Sequence, residues 1–299
     1  MEPFMSLWKG ILPAVITPFD EDGAVDTEAL AVQLDRLANA GCTGIVMNAV
    51  TGEGASLTPE ERARTVACAV ETLKGRAVVI ATAGSVGDYE TVADIATAAK
   101  LGADGLMIIS PYFYRLSTAE RVDYFRRMGA VSDLPYIVYN TTYTSPMLSV
   151  EELEQIAEAS PTMVGVKEGQ QLQASEAIRR LSSRVGVYTS RDSYIAELGL
   201  VGGAGAVTYT TNVVPELTVN LWKAVEAGDV ARAKELQQAL NVFAYGLVVR
   251  SFPSAIKACL RELGWDSGRL RTPLHPMNAA ETAVLREALL TVYPQLPVG

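Results

Sequence analysis

Lys167 closes the apolar run Met163-Val164-Gly165-Val166 and is followed by Glu168-Gly169. An apolar run of this length bounded by turn signals reads as a strand buried on both faces, and an ammonium at its end must be solvated, paired or deprotonated. Burial disfavours the charged form of lysine, and the neutral amine is a nucleophile able to attack a carbonyl and form a Schiff base. The alternative is a structural ion pair with Glu168 or Asp192. Tyr139 ends a second run, Pro135 to Asn140. A phenol there can shuttle a proton that a lysine imine cannot; otherwise it is an interfacial aromatic with a satisfied hydroxyl. Ser190-Arg191-Asp192 follow a third run. They offer a cation and a carboxyl, or else a solvated arginine paired with its neighbour.

The elements that must position these groups alternate along the chain. Short β-rich runs occur at Ile11 to Thr17, Gly44 to Asn48, Ala77 to Ala81, Gly105 to Ser110, Pro135 to Asn140, Met163 to Lys167, Val185 to Thr189 and Ala204 to Tyr209. Between them lie segments of helical spacing with start signals, such as Thr58-Pro59-Glu60-Glu61 and Ser149-Val150-Glu151-Glu152. Such alternation predicts right-handed βαβ units and a parallel sheet, and eight units fit a closed (β/α)8 TIM barrel, an α/β fold. A doubly wound open sheet is the competitor, but usually stops near five to seven strands. After Pro215 the pattern is wholly helical, through 219–227, 230–249, 253–263 and 279–292. The division expected is a barrel over 1–214 carrying the active site and a C-terminal helical extension over 215–299 packed on it. Active sites of such barrels lie at the C-terminal ends of the strands. Thr51-Gly52-Glu53, Tyr139-Asn140, Lys167-Glu168 and Ser190-Arg191-Asp192 converge there.

Composition narrows the chemistry. With 299 residues, 49% of them hydrophobic, the core is ample for one large barrel. A net charge of −9 with no lysine or arginine cluster opposes nucleic acid or anionic lipid as partner. No apolar stretch reaches the length of a membrane span, and Met1 to Lys9 lacks the features of a secretory signal, so a cytoplasmic location is the expectation. Cys42, Cys68 and Cys259 read as reduced core thiols. His275 is the sole histidine, which excludes a multi-histidine zinc site and a Ser-His-Asp triad. No cofactor is expected. Gly202-Gly203-Ala204-Gly205 precedes a strand rather than opening a helix, so it fails as a dinucleotide loop and suits a tight turn or close approach to a ligand.

Thr17-Pro18-Phe19, Thr51-Gly52-Glu53, Ser110-Pro111-Tyr112, Tyr139-Asn140, Val166-Lys167-Glu168 and Gly203-Ala204-Gly205 occur in an order that resembles the dihydrodipicolinate synthase/N-acetylneuraminate lyase family over nearly the whole chain. Phe252-Pro253 with Ile256-Lys257, and Arg269-Leu270 to Pro273, resemble its C-terminal helices. The resemblance implies a (β/α)8 barrel, usually a homotetramer, that binds pyruvate or another 2-oxo acid. It implies that Lys167 is the Schiff-base lysine, Tyr139 the proton shuttle, and Thr51 with nearby backbone N–H groups, Gly52 among them, the holder of the carboxylate. Gly205 joins the substrate-binding set. The segment Ser190, Arg191 and Asp192 corresponds to the one that in sialic-acid lyases contacts the substrate's hydroxyl chain, with Arg191 the specificity candidate.

Three departures point away from the synthases. Val50 replaces the first threonine of the family's Gly-Thr-Thr-Gly-Glu, which passes protons to the tyrosine, and Phe113 stands where the synthases place a relay tyrosine lent by a neighbouring subunit. Thr144 occupies the slot of an arginine that grips the carboxylate of aspartate semialdehyde, and threonine cannot supply that charged fork. Dihydrodipicolinate synthase activity is therefore not expected. The expectation is a metal-independent class I lyase or aldolase that cleaves or forms a C–C bond of a 2-oxo acid, with an aldehyde or related acceptor. The alternatives are a dehydratase or deaminase of a 3-deoxy-2-oxo acid or cyclic imino acid by the same imine, and a non-catalytic 2-oxo-acid-binding barrel.

Overall fold

The computed structural model of the chain describes residues 8–142, 147–249 and 252–296. Eight strands form among the described residues, one overlapping each expected run: β1 (Gly10–Pro13), β2 (Gly44–Met47), β3 (Val78–Ala83), β4 (Gly105–Ile109), β5 (Tyr136–Asn140), β6 (Met163–Glu168), β7 (Gly186–Thr189) and β8 (Gly205–Thr208). They pair parallel in the order β1-β8-β7-β6-β5-β4-β3-β2. The ring closes between β1 and β2 through the Ala14–Val46 bridge and the bonds Thr43 N–H to Ile11 O and Val15 N–H to Val46 O, each 3.1 Å. The result is the (β/α)8 barrel.

Alternation along each strand divides the core in two. Leu12, Val46, Ile80, Met107, Ile137 and Val207 fill the barrel interior with Trp8 and Tyr188, while Ile11, Ile45, Val79, Ile108, Val138, Val187 and Ala206 face the helices. The run expected to continue to Thr17 leaves the sheet after Val15. There, side chains replace the ladder: Ile16 N–H donates to Asn212 Oδ1 at 3.1 Å and Thr17 Oγ1 to Gly52 O at 2.7 Å.

The barrel helices are α1 (Thr27–Ala40), α2 (Pro59–Leu73), α3 (Asp88–Leu101), α4 (Thr118–Gly129), α5 (Val150–Ala159), α6 (Gln171–Leu181), α7 (Ile195–Leu200) and α8 (Pro215–Glu226). Both start signals noted above form full capping boxes, Thr58 with Glu61 and Ser149 with Glu152, and Pro59 occupies the first turn, where its missing N–H costs nothing. Three further helices follow, α9 (Val230–Gly246), α10 (Phe252–Glu262) and α11 (Ala279–Val292), with α9 packed on α8 and α11. No helix among the described residues is long and apolar enough to cross a membrane.

Candidate active site

A cavity of about 470 Å³ opens at the C-terminal ends of the strands, where Tyr139, Lys167 and the start of the β7–α7 loop meet. The register aligns Tyr139 with Lys167 and Asn140 with Glu168 on adjacent strands. Alternation then sends the first pair inward and the second pair outward. Lys167 Nζ lies 3.8 Å from the centroid of the Tyr139 ring, and both residues are nearly buried, at 5% and 6% exposure. The Tyr139 hydroxyl has no hydrogen-bond partner among the described residues.

Neither structural pair considered for Lys167 exists. Glu168 accepts instead from Asn140 Nδ2 (2.7 Å), Gln173 Nε2 (2.9 Å) and the Gln170 amide (2.9 Å). Burial raises its pKa, and these three donors oppose the rise. Asn140 also bonds both backbone groups of Leu148, so the outward pair ties the β5–α5 loop to β6. Among the described residues Lys167 has no carboxylate within ion-pair distance.

Asp192 does not pair with Arg191 either. It is 1% exposed, and its Oδ2 accepts the Tyr209 and Thr210 amides at 3.2 and 2.9 Å, while Oδ1 is buried without a partner. Burial pushes its pKa up to about 6, against the pull of the Thr210 and Tyr209 donors and of Lys167. Arg191 is exposed and donates from Nε to Gly169 O at 3.0 Å, which leaves most of its guanidinium at the cavity rim. Ser190 borders the cavity beside it.

The turn after β2 contributes Ala49, Val50 and Thr51 to the wall. Its amides divide into two sets. Those of Gly52, Glu53 and Gly54 fold back onto the carbonyls of Ala49 and Val50, whereas those of Val50 and Thr51 have no acceptor among the described residues. Two free N–H groups beside a threonine hydroxyl are the equipment of an anion site.

Several expected residues fall elsewhere. Gly52 does not border the cavity; its N–H is spent on Ala49 O and a Cβ there would stand 2.6 Å from Val15 O. Its role is packing against the β1 exit. Gly205 begins β8 at the opposite end of the barrel, where a Cβ would stand 2.0 Å from Gly10 O, so close strand packing rather than a ligand requires the glycine. Phe113 is 85% exposed and lies edge-on to Tyr114, outside the cavity of its own chain. Thr144 lies outside the described residues.

The sequence reading missed the part of the wall supplied by the C-terminal helices. Asn241, Ala244, Tyr245 and Val248 come from α9 and the turn after it, and Phe252 from α10 stacks on Tyr209 with ring centroids 4.4 Å apart. It also missed the fully buried contact of Lys257 Nζ with Glu53 Oε1, 2.7 Å apart. A signal existed: Lys257 sits on the apolar stripe of an amphipathic helix, between Ile256 and Leu260, where a charge demands a partner.

Residues 7–291 match the dihydrodipicolinate synthetase family. The chain is 34% identical over 286 residues to an uncharacterized DapA-like lyase of Halobacterium salinarum, covering 94% of this chain and 92% of that one. It is 33% identical over 290 residues to a 4-hydroxy-tetrahydrodipicolinate synthase of Methanoculleus marisnigri, covering 95% and 99%. Among solved structures it resembles dihydrodipicolinate synthase from Aquifex aeolicus, with TM-score 0.92 and 29% identity over 97% of this chain and 100% of the other. YagE, an E. coli prophage protein of the same family solved in complex with pyruvate, gives TM-score 0.91 and 27% identity over 97% and 100%.

Proposed function

The chain belongs to the dihydrodipicolinate synthetase family, whose members are lyases of the class I aldolase type, and from that premise we propose that it cleaves or forms a C–C bond of a 2-oxo acid through an imine on Lys167. The observation that carries this reading is the placement of Lys167 Nζ against the Tyr139 ring, bordering the cavity, with no carboxylate paired to it among the described residues. A lysine held this way, at the cavity and without a carboxylate, is available as a nucleophile.

The Lys167 amine adds to the keto carbon of the 2-oxo acid and water leaves, giving an iminium that withdraws electrons from C3. Having given its own proton to the hydroxyl that leaves as water, Tyr139 as phenolate takes the proton of a 4-hydroxyl as the C3–C4 bond breaks and the aldehyde departs. The enamine is protonated at C3, and water hydrolyses the resulting imine to release pyruvate and the free lysine. Aldol addition is the reverse. The Thr51 hydroxyl and the Val50 and Thr51 amides hold the carboxylate of the 2-oxo acid. Ser190 and Arg191 recognise the part of the substrate beyond it, Arg191 supplying a cation for an anionic or hydroxylated arm.

An acceptor other than aspartate semialdehyde fits the chain best. Val50 brings no hydroxyl to the relay, Phe113 cannot replace a relay phenol, and Thr144 cannot act as an arginine. One observation favours a second reading, loss of water or ammonia from the same imine. Asp192 borders the cavity with a pKa near 6, suited to handing a proton to a leaving group.

Incubation with pyruvate and borohydride, followed by peptide mass measurement, tests the imine. A stable adduct on the Lys167 peptide that is lost in Lys167→Ala is expected; no adduct with pyruvate or other 2-oxo acids refutes the reading. A panel of 4-hydroxy-2-oxo acids then separates the reactions. Pyruvate release marks the aldolase, products of unchanged carbon number mark the dehydratase or deaminase, and trapping without turnover marks a non-catalytic binding barrel. Condensation of pyruvate with aspartate semialdehyde at a rate comparable to the best panel member would overturn the choice of acceptor.

A further inference from the structure

Lys257 and Glu53 form an ion pair in which the side chains are 0% and 1% exposed, joining residues 204 positions apart in sequence. Taking two charges out of water is costly, and replacing a buried ion pair by apolar side chains of similar volume is often neutral or stabilising. Stability is therefore a poor account of the pair. Its geometry suggests a better one.

Glu53 stands at φ 53°, ψ 31°, a left-handed conformation that is unfavourable for a residue with a Cβ. Both carboxylate oxygens are engaged, Oε1 by Lys257 Nζ and Oε2 by the Arg271 amide at 3.1 Å. Lys257 also donates to Arg269 O, and its Nζ rests 4.5 Å from the Phe19 ring centroid. The carboxylate is thus clamped from α10 and from the segment after it. Glu53 lies in the tight turn after β2, and the winding that puts it in the left-handed region is the winding that folds the amides of residues 52–54 inward and leaves those of Val50 and Thr51 without acceptors. Neither Glu53 nor Lys257 borders the Lys167 cavity.

We propose that the Glu53–Lys257 pair is a positioning device for 2-oxo-acid recognition. From α10 it holds the turn after β2 so that the Val50 and Thr51 N–H groups and the Thr51 hydroxyl meet the substrate's carboxylate. The C-terminal helices thereby set substrate affinity through residues that never touch the substrate. This rests on Lys167 forming the imine, and it adds that carboxylate recognition depends on a buried charge pair outside the cavity.

The test compares borohydride trapping on Lys167 across a concentration series of pyruvate and, in parallel, of acetone, a ketone without the carboxylate. Glu53→Gln keeps the shape and removes the charge; Lys257→Met keeps the length and removes the charge. In both, the half-saturating pyruvate concentration is expected to rise roughly 10-fold or more, as misplacement of binding groups by a fraction of an ångström costs. The trapped fraction at saturation and the acetone series should stay as in the wild type. The double variant leaves no unpaired buried charge, so it carries the same test where a single variant fails to fold, with the same rise expected. A folded variant in which pyruvate trapping is unchanged, or in which pyruvate and acetone fall together, assigns the pair a purely structural role and overturns the inference. No adduct in the wild type with either ketone overturns the Lys167 reading and this inference with it, whereas a wild-type adduct with unshifted variants overturns the inference alone.

Discussion

Removing the Tyr139 hydroxyl separates imine formation from proton transfer. In Tyr139→Phe the ring, whose centroid lies 3.8 Å from Lys167 Nζ, stays where it is, so the lysine keeps its neighbour and the adduct should form. The hydroxyl has no hydrogen-bond partner among the described residues, so its loss orphans no group and stability should change by less than about 1 kcal/mol. Tyr139→Ala would instead open a cavity worth roughly 3–5 kcal/mol and confound the result. General acid–base catalysis contributes about 10²–10⁴-fold, or about 3–5 kcal/mol of barrier. The structure bears on where in that range the loss falls. Val50 offers no hydroxyl and Phe113 is outside the cavity, but Asp192 borders it and can carry a proton. A loss near 10² that deepens in Tyr139→Phe/Asp192→Asn means that Asp192 substitutes; a loss near 10⁴ means that nothing does. The assay pairs adduct mass with steady-state pyruvate release from the best 4-hydroxy-2-oxo acid. Turnover within threefold of wild type would remove the phenol from the mechanism, and loss of the adduct would show that the ring, not the hydroxyl, was the functional part.

Asp192 should leave a mark on stability as well as on rate. Its folded pKa of about 6 exceeds that of an exposed aspartate, so its contribution to stability is full below about pH 4 and is lost as pH rises through 6. Between pH 4 and 7 the wild type should weaken relative to Asp192→Asn by on the order of 3 kcal/mol in urea unfolding; a difference that does not change with pH refutes the raised pKa. Gly54→Ala should fail to fold or lose more than about 3 kcal/mol, because its Cβ would stand 1.9 Å from Asn48 O, a backbone atom unable to move aside. A soluble variant with an unshifted melting midpoint would mean that the turn after β2 is pliable, against the rigid carboxylate site derived above.

The barrel could be read from the sequence because each strand announces itself by an apolar run, and several are followed by a helix-start signal as well. Thr58 and Ser149 are clear cases, where a capping residue and an acid three positions on close the box that the pattern promised. The ends of β5 and β6 were legible as neighbours, since the fold puts the two strands side by side, but the register was not: a shift between Tyr136 and Ile137 is what brings Tyr139 opposite Lys167 rather than Val166. Gly205 misled because a glycine needed for close strand packing and one needed for close ligand approach leave the same trace in sequence. The alternative in which Asp192 pairs with Arg191 fails because Asp192 opens a short helical turn that carries its carboxylate onto the Tyr209 and Thr210 amides, while extended Arg191 reaches Gly169 O at the rim.

The C-terminal helices were legible as helices, but what they bring to the site was not, for a physical reason of a different kind. Their contribution depends on where the chain returns to the barrel, and no local periodicity encodes a contact across 204 residues. Lys257 shows what such a contact looks like from one end: a charge on an apolar stripe, which the helix pattern alone marks as an error. Glu53 shows it from the other: a carboxylate beside a glycine pair in a tight turn, which reads as a solvated acid. Each residue is anomalous alone, and the anomalies cancel only in the folded chain. Burying a charge at each of two distant positions penalises every arrangement in which the two fail to meet. The pair therefore ties α10 to the turn whose residues Ala49, Val50 and Thr51 line the Lys167 cavity, so a contact outside the cavity reaches its wall.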